Sequence, residues 1–559
     1  MRFRGKLSVP QITQAMVNLF VLAVALLLAV FAPITGALPK VSRVGKYLYT
    51  EDGNRFFIKG IAYQTQGLII PGPDNPLNQP STYVDNLADP AACARDLPFF
   101  QKLGINAIRA YSANSSAGIY VILDLTLPLN GSIDTTQPAW STNTLDQYLR
   151  TIDAFEKYDN VLAYNIGNEV ISPTATQSAP FIVAAARDIR AYLNSISSSA
   201  LVGYAAIDGP SSFVDDEADF LACSATASVD LFGLNNYEWC GNAANTTFDS
   251  MNRRFANYGV AAYFSEFGSE NCSPNPRVWT EIPVMYSEPM TDVWSGGLAF
   301  SYFSVVSRGH DFGMATLSAD NKSVTTNADF DNLAAKFNGV TFVNTPAKGT
   351  APTPTLPNCP APSPPGWNVS NTIPPTPDDA ACGCLANQLS CLFQPPTPDY
   401  MKLVGNLIGI ACGLVIQAGG TCNDISSSGV SGTYGPVGMC DPTIKLSYVM
   451  SQFYELNNRV DAACSFSGNA TANPKANPSI LASAAASSCM PSPRVFTPSP
   501  PPVLVPGAGG GGNGSTDNSH NGSSGPPNGG MSSTVSRGVL VGLTGAVGFV
   551  VGAMVWTLA

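Results

Sequence analysis

Val161-Leu162-Ala163-Tyr164-Asn165-Ile166-Gly167-Asn168-Glu169 is the stretch on which the fold turns. A mostly apolar run of strand length ends on an acid. Such near-continuous runs suit strands covered on both faces, as in a parallel sheet. Seven more lie between residues 41 and 344: Phe56 to Tyr63, Ile105 to Ser112, Ile119 to Thr126, Leu201 to Asp208, Val229 to Tyr237, Val260 to Gly268 and Gly296 to Phe303. Helical or loop stretches separate them. Eight buried-type strands in a domain of this length predict an α/β fold, a (β/α)8 TIM barrel.

Polar residues gather at the C-terminal ends of these runs, where barrel active sites lie: Gln64, Tyr111, Asp124, Asn168 with Glu169, Tyr237 and Glu266. An acid at the end of an apolar strand resists ionisation unless neighbours support it. One such acid could be structural, bonded to loop amides. Two, at the fourth and seventh strand ends, would face each other across the barrel mouth. Retaining glycosidases need that arrangement, with carboxyl groups roughly 5 Å apart. Ordinary loop carboxylates in a barrel of other function are the alternative. One connection conflicts with the barrel. Only Ala113 to Gly118 separate the second and third runs, whereas a parallel crossover takes about a dozen residues. Either those strands are not parallel neighbours or a helix is missing.

Composition narrows the chemistry. The 559 residues are 45% hydrophobic and 12% charged, with a formal net charge of −11. Nucleic-acid binding needs clustered Lys and Arg, so no nucleic-acid partner is expected. The two histidines are His310 and His520. A Ser-His-Asp triad or a histidine-rich zinc site would rest on His310 alone. The chemistry therefore falls to carboxylates, with no metal and no cofactor.

Both ends carry targeting patterns. Arg2, Arg4 and Lys6 precede the apolar run Val17 to Leu28 and small residues up to Ala37, a signal-peptide pattern over 1–37. From Gly538 to Ala559 the chain is uncharged, after a polar spacer from Met531 to Arg537. This is the pattern of a GPI signal, a tail-anchored helix being the alternative, with Asn528 as the expected attachment site ahead of Gly530 or Ser532, and 529–559 removed. Expected localisation is secretion through the ER to the outer face of the plasma membrane and the cell wall. Asn114, Asn130, Asn245, Asn321, Asn368, Asn469, Asn513 and Asn521 head glycosylation triplets.

Between the ends, residues 38–344 form the expected barrel domain and 345–380 a Pro-rich linker. Residues 381–490 follow as a cysteine-rich module, and 491–528 as a Pro/Gly/Ser-rich stalk. Of 13 cysteines, eight lie between Cys382 and Cys489. In an oxidising compartment they read as a disulfide scaffold.

Four motifs carry a family resemblance: Gly167-Asn168-Glu169-Val170, Asn236-Tyr237-Glu238-Trp239-Cys240-Gly241, Phe264-Ser265-Glu266-Phe267-Gly268 and Trp294-Ser295-Gly296-Gly297-Leu298. In these the chain resembles the fungal GPI-anchored β-1,3-glucanosyltransferases of glycoside hydrolase family 72. Gly432-Thr433-Tyr434-Gly435 through Cys440 to Lys445-Leu446-Ser447-Tyr448-Val449 resembles the glucan-binding X8 module of one branch of that family. The resemblance implies that Glu169 is the acid/base and Glu266 the nucleophile. It implies that Asn168 holds the sugar 2-hydroxyl or the nucleophile, and that Tyr237 bonds near Glu266. Gln64, Tyr111, Asp124 and Tyr302 would contact substrate. The implied disulfides are Cys223 with Cys359 and Cys240 with Cys272. Family members carry a cysteine-bearing helix after the second strand, which this chain lacks, leaving Cys93 without its expected partner. The implied partners are β-1,3-glucan as donor and acceptor, and the membrane through a GPI lipid. A hydrolytic endo-β-1,3-glucanase and a non-catalytic glucan-binding wall glycoprotein are the alternatives.

Overall fold

The computed structural model describes residues 38–65, 89–110, 119–126, 132–270, 275–307, 309–394, 401–490 and 492–500. The signal peptide, Tyr111, Asn114, Asn130, Cys272, Asn513, Asn521 and the anchor segment at Asn528 lie outside them. A hairpin of β1 (Val41–Val44) and β2 (Tyr47–Thr50) comes first. The barrel strands follow: β3 (Ile58–Tyr63), β4 (Ala107–Ala110), β5 (Tyr120–Asp124), β6 (Val161–Asn168), β7 (Leu201–Ile207), β8 (Leu231–Asn235), β9 (Ala261–Phe267) and β10 (Trp294–Ala299). Each pairs in parallel with the next, and β10 pairs with β3 to close the barrel.

Two apolar layers form because side chains alternate along a strand. Ile58, Ala107, Tyr120, Ile122, Ala163, Leu201, Leu231, Ala261, Tyr263 and Leu298 fill the lower interior, plugged from below by Val41 and Leu48 of the hairpin. Outward residues such as Phe57, Ile61, Tyr63, Leu123, Tyr164, Tyr204 and Phe264 join the helices in the main core. After the helix α1 (Pro90–Leu103), α2 (Thr142–Phe155) shows the matching pattern, burying Leu145, Tyr148, Leu149 and Ile152 on one stripe. The interior changes character upward, where Arg109, Asp124, Asn165, Asn235 and Ser265 are buried. That polar layer is the floor of the site.

Two expectations are corrected here. The short connection does not prevent closure, because β4 and β5 are parallel neighbours, with Ala107 opposite Tyr120 and Ala110 opposite Leu123. The first of the two alternatives is thereby overturned, and residues 111–118 between these strands lie outside the described residues. The eighth strand begins at Trp294 and ends at Ala299 rather than running from Gly296 to Phe303. Beyond Ala299 regular pairing ends, although Phe300 N–H still donates to Phe267 O of β9 and Tyr302 N–H to Ala62 O of β3; bonds to residues 312–315 alternate with these, Ser301 N–H donating to Phe312 O and Ala315 N–H to Tyr302 O.

The Pro-rich segment is a strap against the barrel. Cys359 is bonded to Cys223, and Trp367 is buried against Phe213 and Phe220. A large apolar ring has to be covered, so this segment cannot act as a free spacer. The cysteine-rich module has its own core, including Leu385, Val415, Leu446 and Val449. Its disulfides are Cys382–Cys440, Cys384–Cys489, Cys391–Cys464 and Cys412–Cys422. The module meets the barrel through Thr142 N–H to Met439 O at 3.0 Å and the Phe181–Tyr434 ring contact. Together with the Pro-rich segment, where Pro374 O accepts from Arg187 and Thr376 Oγ1–H donates to Asp188, that contact covers α3 (Ala179–Ser195), which is buried nearly all round. Among the described residues, no helix is long and apolar enough to cross a membrane.

Candidate active site

Four strand ends build the site around one guanidinium. Arg109 on β4 is 0% exposed. Its Nε and Nη2 donate to Asp124 Oδ1 and Oδ2 at 3.2 and 2.8 Å. Nη1 donates to Glu266 Oε1 at 3.1 Å, and Nη2 also donates to Asn168 Oδ1 at 2.7 Å. A buried charge is tolerated only when it is paired and its donors are satisfied. Here the planar fork of arginine matches acceptors on three different strands.

Glu266, near the end of β9, is 7% exposed. Besides Arg109, it accepts the Tyr237 hydroxyl on Oε2 at 2.8 Å. The Tyr237 ring is held edge-on by Phe300 and Phe312. A carboxyl taking a cationic donor on one oxygen and a phenol on the other is arranged as an acceptor-only carboxylate.

Glu169 is presented differently. It follows β6 in a left-handed conformation at φ 53°, unusual for a residue with a side chain. Its N–H continues the ladder to Ala205 O at 2.8 Å, while Oε1 accepts the Asn235 amide at 2.8 Å. Asn235 Nδ2 also reaches Asn168 Oδ1 at 3.2 Å, and Ser265 Oγ–H orients Asn235 by donating to its Oδ1 at 2.7 Å. Glu169 thus has a neutral amide donor where Glu266 has a cation. Both carboxyls belong to one network, joined through Asn235, Asn168 and Arg109. Two glycines make room for it: a Cβ at Gly203 would stand 2.4 Å from Asn165 Oδ1, and one at Gly233 2.6 Å from Ser265. Beside this network, Asp208 bonds Asn236, and burial and Glu238 push it up to about 6.

The remaining candidates scatter. Asn168 joins the network. Asp124 lies beneath it, held by Arg109 and by Asn165 Nδ2 at 2.7 Å. Gln64 follows β3, half-buried. Tyr302 is not brought to the pair: it is 0% exposed, packed among Tyr63, Phe100 and Phe303. Cys240 is in a disulfide, while its expected partner Cys272 lies outside the described residues, as does Tyr111. The sequence reading missed Arg109, Asn165, Asn235 and Ser265. A usable signal existed for Arg109, since a cation inside an apolar strand must have an anionic partner nearby. Among the described residues no group of three or more His, Cys, Asp or Glu could hold a metal ion.

The glucanosyltransferase family model matches residues 34–341, and an X8 domain model matches 389–471. Protein EPD2 of Candida maltosa is 34% identical over 479 residues, covering 81% of this chain and 83% of that one. The 1,3-beta-glucanosyltransferase gas1 of Schizosaccharomyces pombe is 34% identical over 453 residues, covering 76% and 77%. Saccharomyces cerevisiae Gas2p, solved with laminaritriose and laminaritetraose, superposes with a TM-score of 0.68 at 30% identity, covering 78% of this chain and 98% of that one.

Proposed function

The chain belongs to the glucanosyltransferase family, and from that premise we propose that Glu266 and Glu169 cut and rejoin β-1,3-glucan by double displacement. One observation supports this above the rest: two strand-end carboxyls share a single hydrogen-bond network while receiving donors of different charge. Glu266, held as an acceptor by Arg109 and Tyr237, attacks the anomeric carbon of an internal linkage. Glu169 gives its proton to the departing oxygen, and the reducing-end fragment leaves. Glu169 then takes the proton of a 3-hydroxyl on a second glucan chain. That oxygen displaces Glu266 and restores a β-1,3 bond, so the wall polymer is remodelled and elongated. Asn168 and Tyr237 are positioned to meet the sugar beside the nucleophile, and Gln64 and Tyr111 are assigned to the cleft on resemblance. Asp124 acts through Arg109.

The same proposal covers delivery. The signal peptide and the Asn528 anchor pattern place the enzyme on the outer membrane face and in the wall, with the cysteine-rich module gripping glucan. Reduced laminari-oligosaccharides test the reaction. Transfer gives products longer than the substrate, hydrolysis only shorter ones, and binding alone no change. Glu266→Gln is expected to abolish all products, and surviving transfer would refute its role as nucleophile.

A further inference from the structure

One buried carboxyl has no task in this reaction. Glu217 sits on α4 (Ser211–Ala222), 0% exposed, in the layer between that helix and the barrel. Neither of its oxygens has a well-aligned hydrogen-bond partner among the described residues, and the polar group it meets is the Tyr204 hydroxyl. Burial first, then the charge of Glu169, hold its carboxyl well above the usual carboxylate range, with the Tyr204 hydroxyl opposing and Asp208 adding. An acid so placed is a neutral hydrogen-bonding group.

Tyr204 links it to the site. The residue lies on the outward face of β7 and is fully buried. Its oxygen accepts the Ile171 N–H at 2.8 Å, leaving its own proton for Glu217. Its ring stands 3.0 Å from where a Cβ on Gly167 would be. Tyr204 therefore touches the chain on both sides of Glu169, two residues before it and two after. The residue between is the one in the left-handed conformation. A side-chain-bearing residue there is strained and persists only where its surroundings impose it.

We propose that Tyr204 and Glu217 are positioning residues: a brace behind β6 that fixes the turn carrying Glu169 and so aims its carboxyl at the glycosidic oxygen. The proposal rests on the assignment of Glu169 as acid/base. Both side chains are 0% exposed, so neither meets substrate.

Leaving-group dependence tests it. A laminari-oligosaccharide needs a proton delivered to its departing oxygen, whereas a laminaribiosyl fluoride expels fluoride without one. For Tyr204→Phe, kcat on the oligosaccharide should fall about ten- to a hundredfold, part of what general acid catalysis contributes, with KM nearly unchanged. Fluoride release in the first turnover should stay within about threefold of wild type, because that step needs only Glu266. Glu217→Leu should match Tyr204→Phe. Glu217→Gln should recover to within about threefold of wild type, since an amide keeps the shape and a neutral polar group. Equal losses on both donors, or no loss on either, overturn the brace. Glu169→Gln run alongside isolates the premise: if that variant shows no donor dependence, the acid/base assignment has failed instead. Should Glu217→Leu not fold, Tyr204→Phe, which removes one oxygen, decides alone.

Discussion

Removing the Arg109 guanidinium should damage fold and chemistry by separable amounts. Arg109→Leu deletes bonds to Asp124 at 3.2 and 2.8 Å, to Glu266 at 3.1 Å and to Asn168 at 2.7 Å. It strands two carboxylates, one 2% and the other 7% exposed, with Asn165 and Tyr237 still donating to them. Breaking a buried ion pair from one side costs about 3–5 kcal/mol, most of it the desolvated charge left behind. At roughly 2–4 °C per kcal/mol, the barrel transition should drop by roughly 6–20 °C, towards the lower end for a domain this large. Transfer on reduced laminari-oligosaccharides should fall at least about a hundredfold, because Glu266 and Asn168 lose their shared donor. Adding Asp124→Asn removes one stranded charge and should recover about half of the lost stability without restoring transfer. Calorimetry and the transfer assay on single and double variants separate these effects. An Arg109→Leu protein that melts within 2 °C of wild type, or a double variant that regains transfer, would refute the account of the network.

Two further outcomes follow from particular contacts. Tyr237→Phe removes the 2.8 Å hydroxyl bond to Glu266 Oε2 but keeps the ring on Phe300 and Phe312. A bond to a charged group contributes about 1.5–3 kcal/mol, so kcat should fall about ten- to a hundredfold with little change in melting temperature; an unchanged kcat would contradict it. The second outcome concerns pH. Asp146 on α2 meets Asp379 at the end of the Pro-rich segment, and burial first, then Asp379, push its carboxyl up to about 8, Arg150 opposing and Asp441 adding. The folded protein then holds a proton that the unfolded chain releases at ordinary carboxylate pH. Stability should therefore be full below that range and decline as pH rises towards 8. Asp146→Asn should flatten the fall in melting temperature between pH 5 and 8, and an identical slope in that variant would contradict the assignment.

Local pattern made the barrel legible. Burial on both faces leaves its mark within each strand, so eight apolar runs announced eight strands, and the strand-end acids Glu169 and Glu266 stood out against them. Boundaries were less secure where bonds to neighbouring strands alternate with bonds to a following segment, as after Ala299. The crossover rule left two alternatives for the short connection after β4, and the parallel pairing of β4 with β5 removes the first, that they are not neighbours.

What no local pattern holds is which strands stand side by side at the mouth. Arg109 lies in an apolar run, Asn235 in another and Ser265 in a third. They become a site only because closure sets β4, β5, β6, β8 and β9 around one axis. The four disulfides of the module are undetermined for the same reason, since any cysteine can pair with any other until the chain is folded. From the sequence alone came the barrel, its two acids and the family they resemble. Tertiary structure alone decided that Arg109 and Asn235 join those acids, that Tyr302 belongs to the core, and that the Pro-rich segment lies against the barrel. Apolar periodicity is written residue by residue, whereas a hydrogen bond depends on the spatial meeting of groups far apart along the chain.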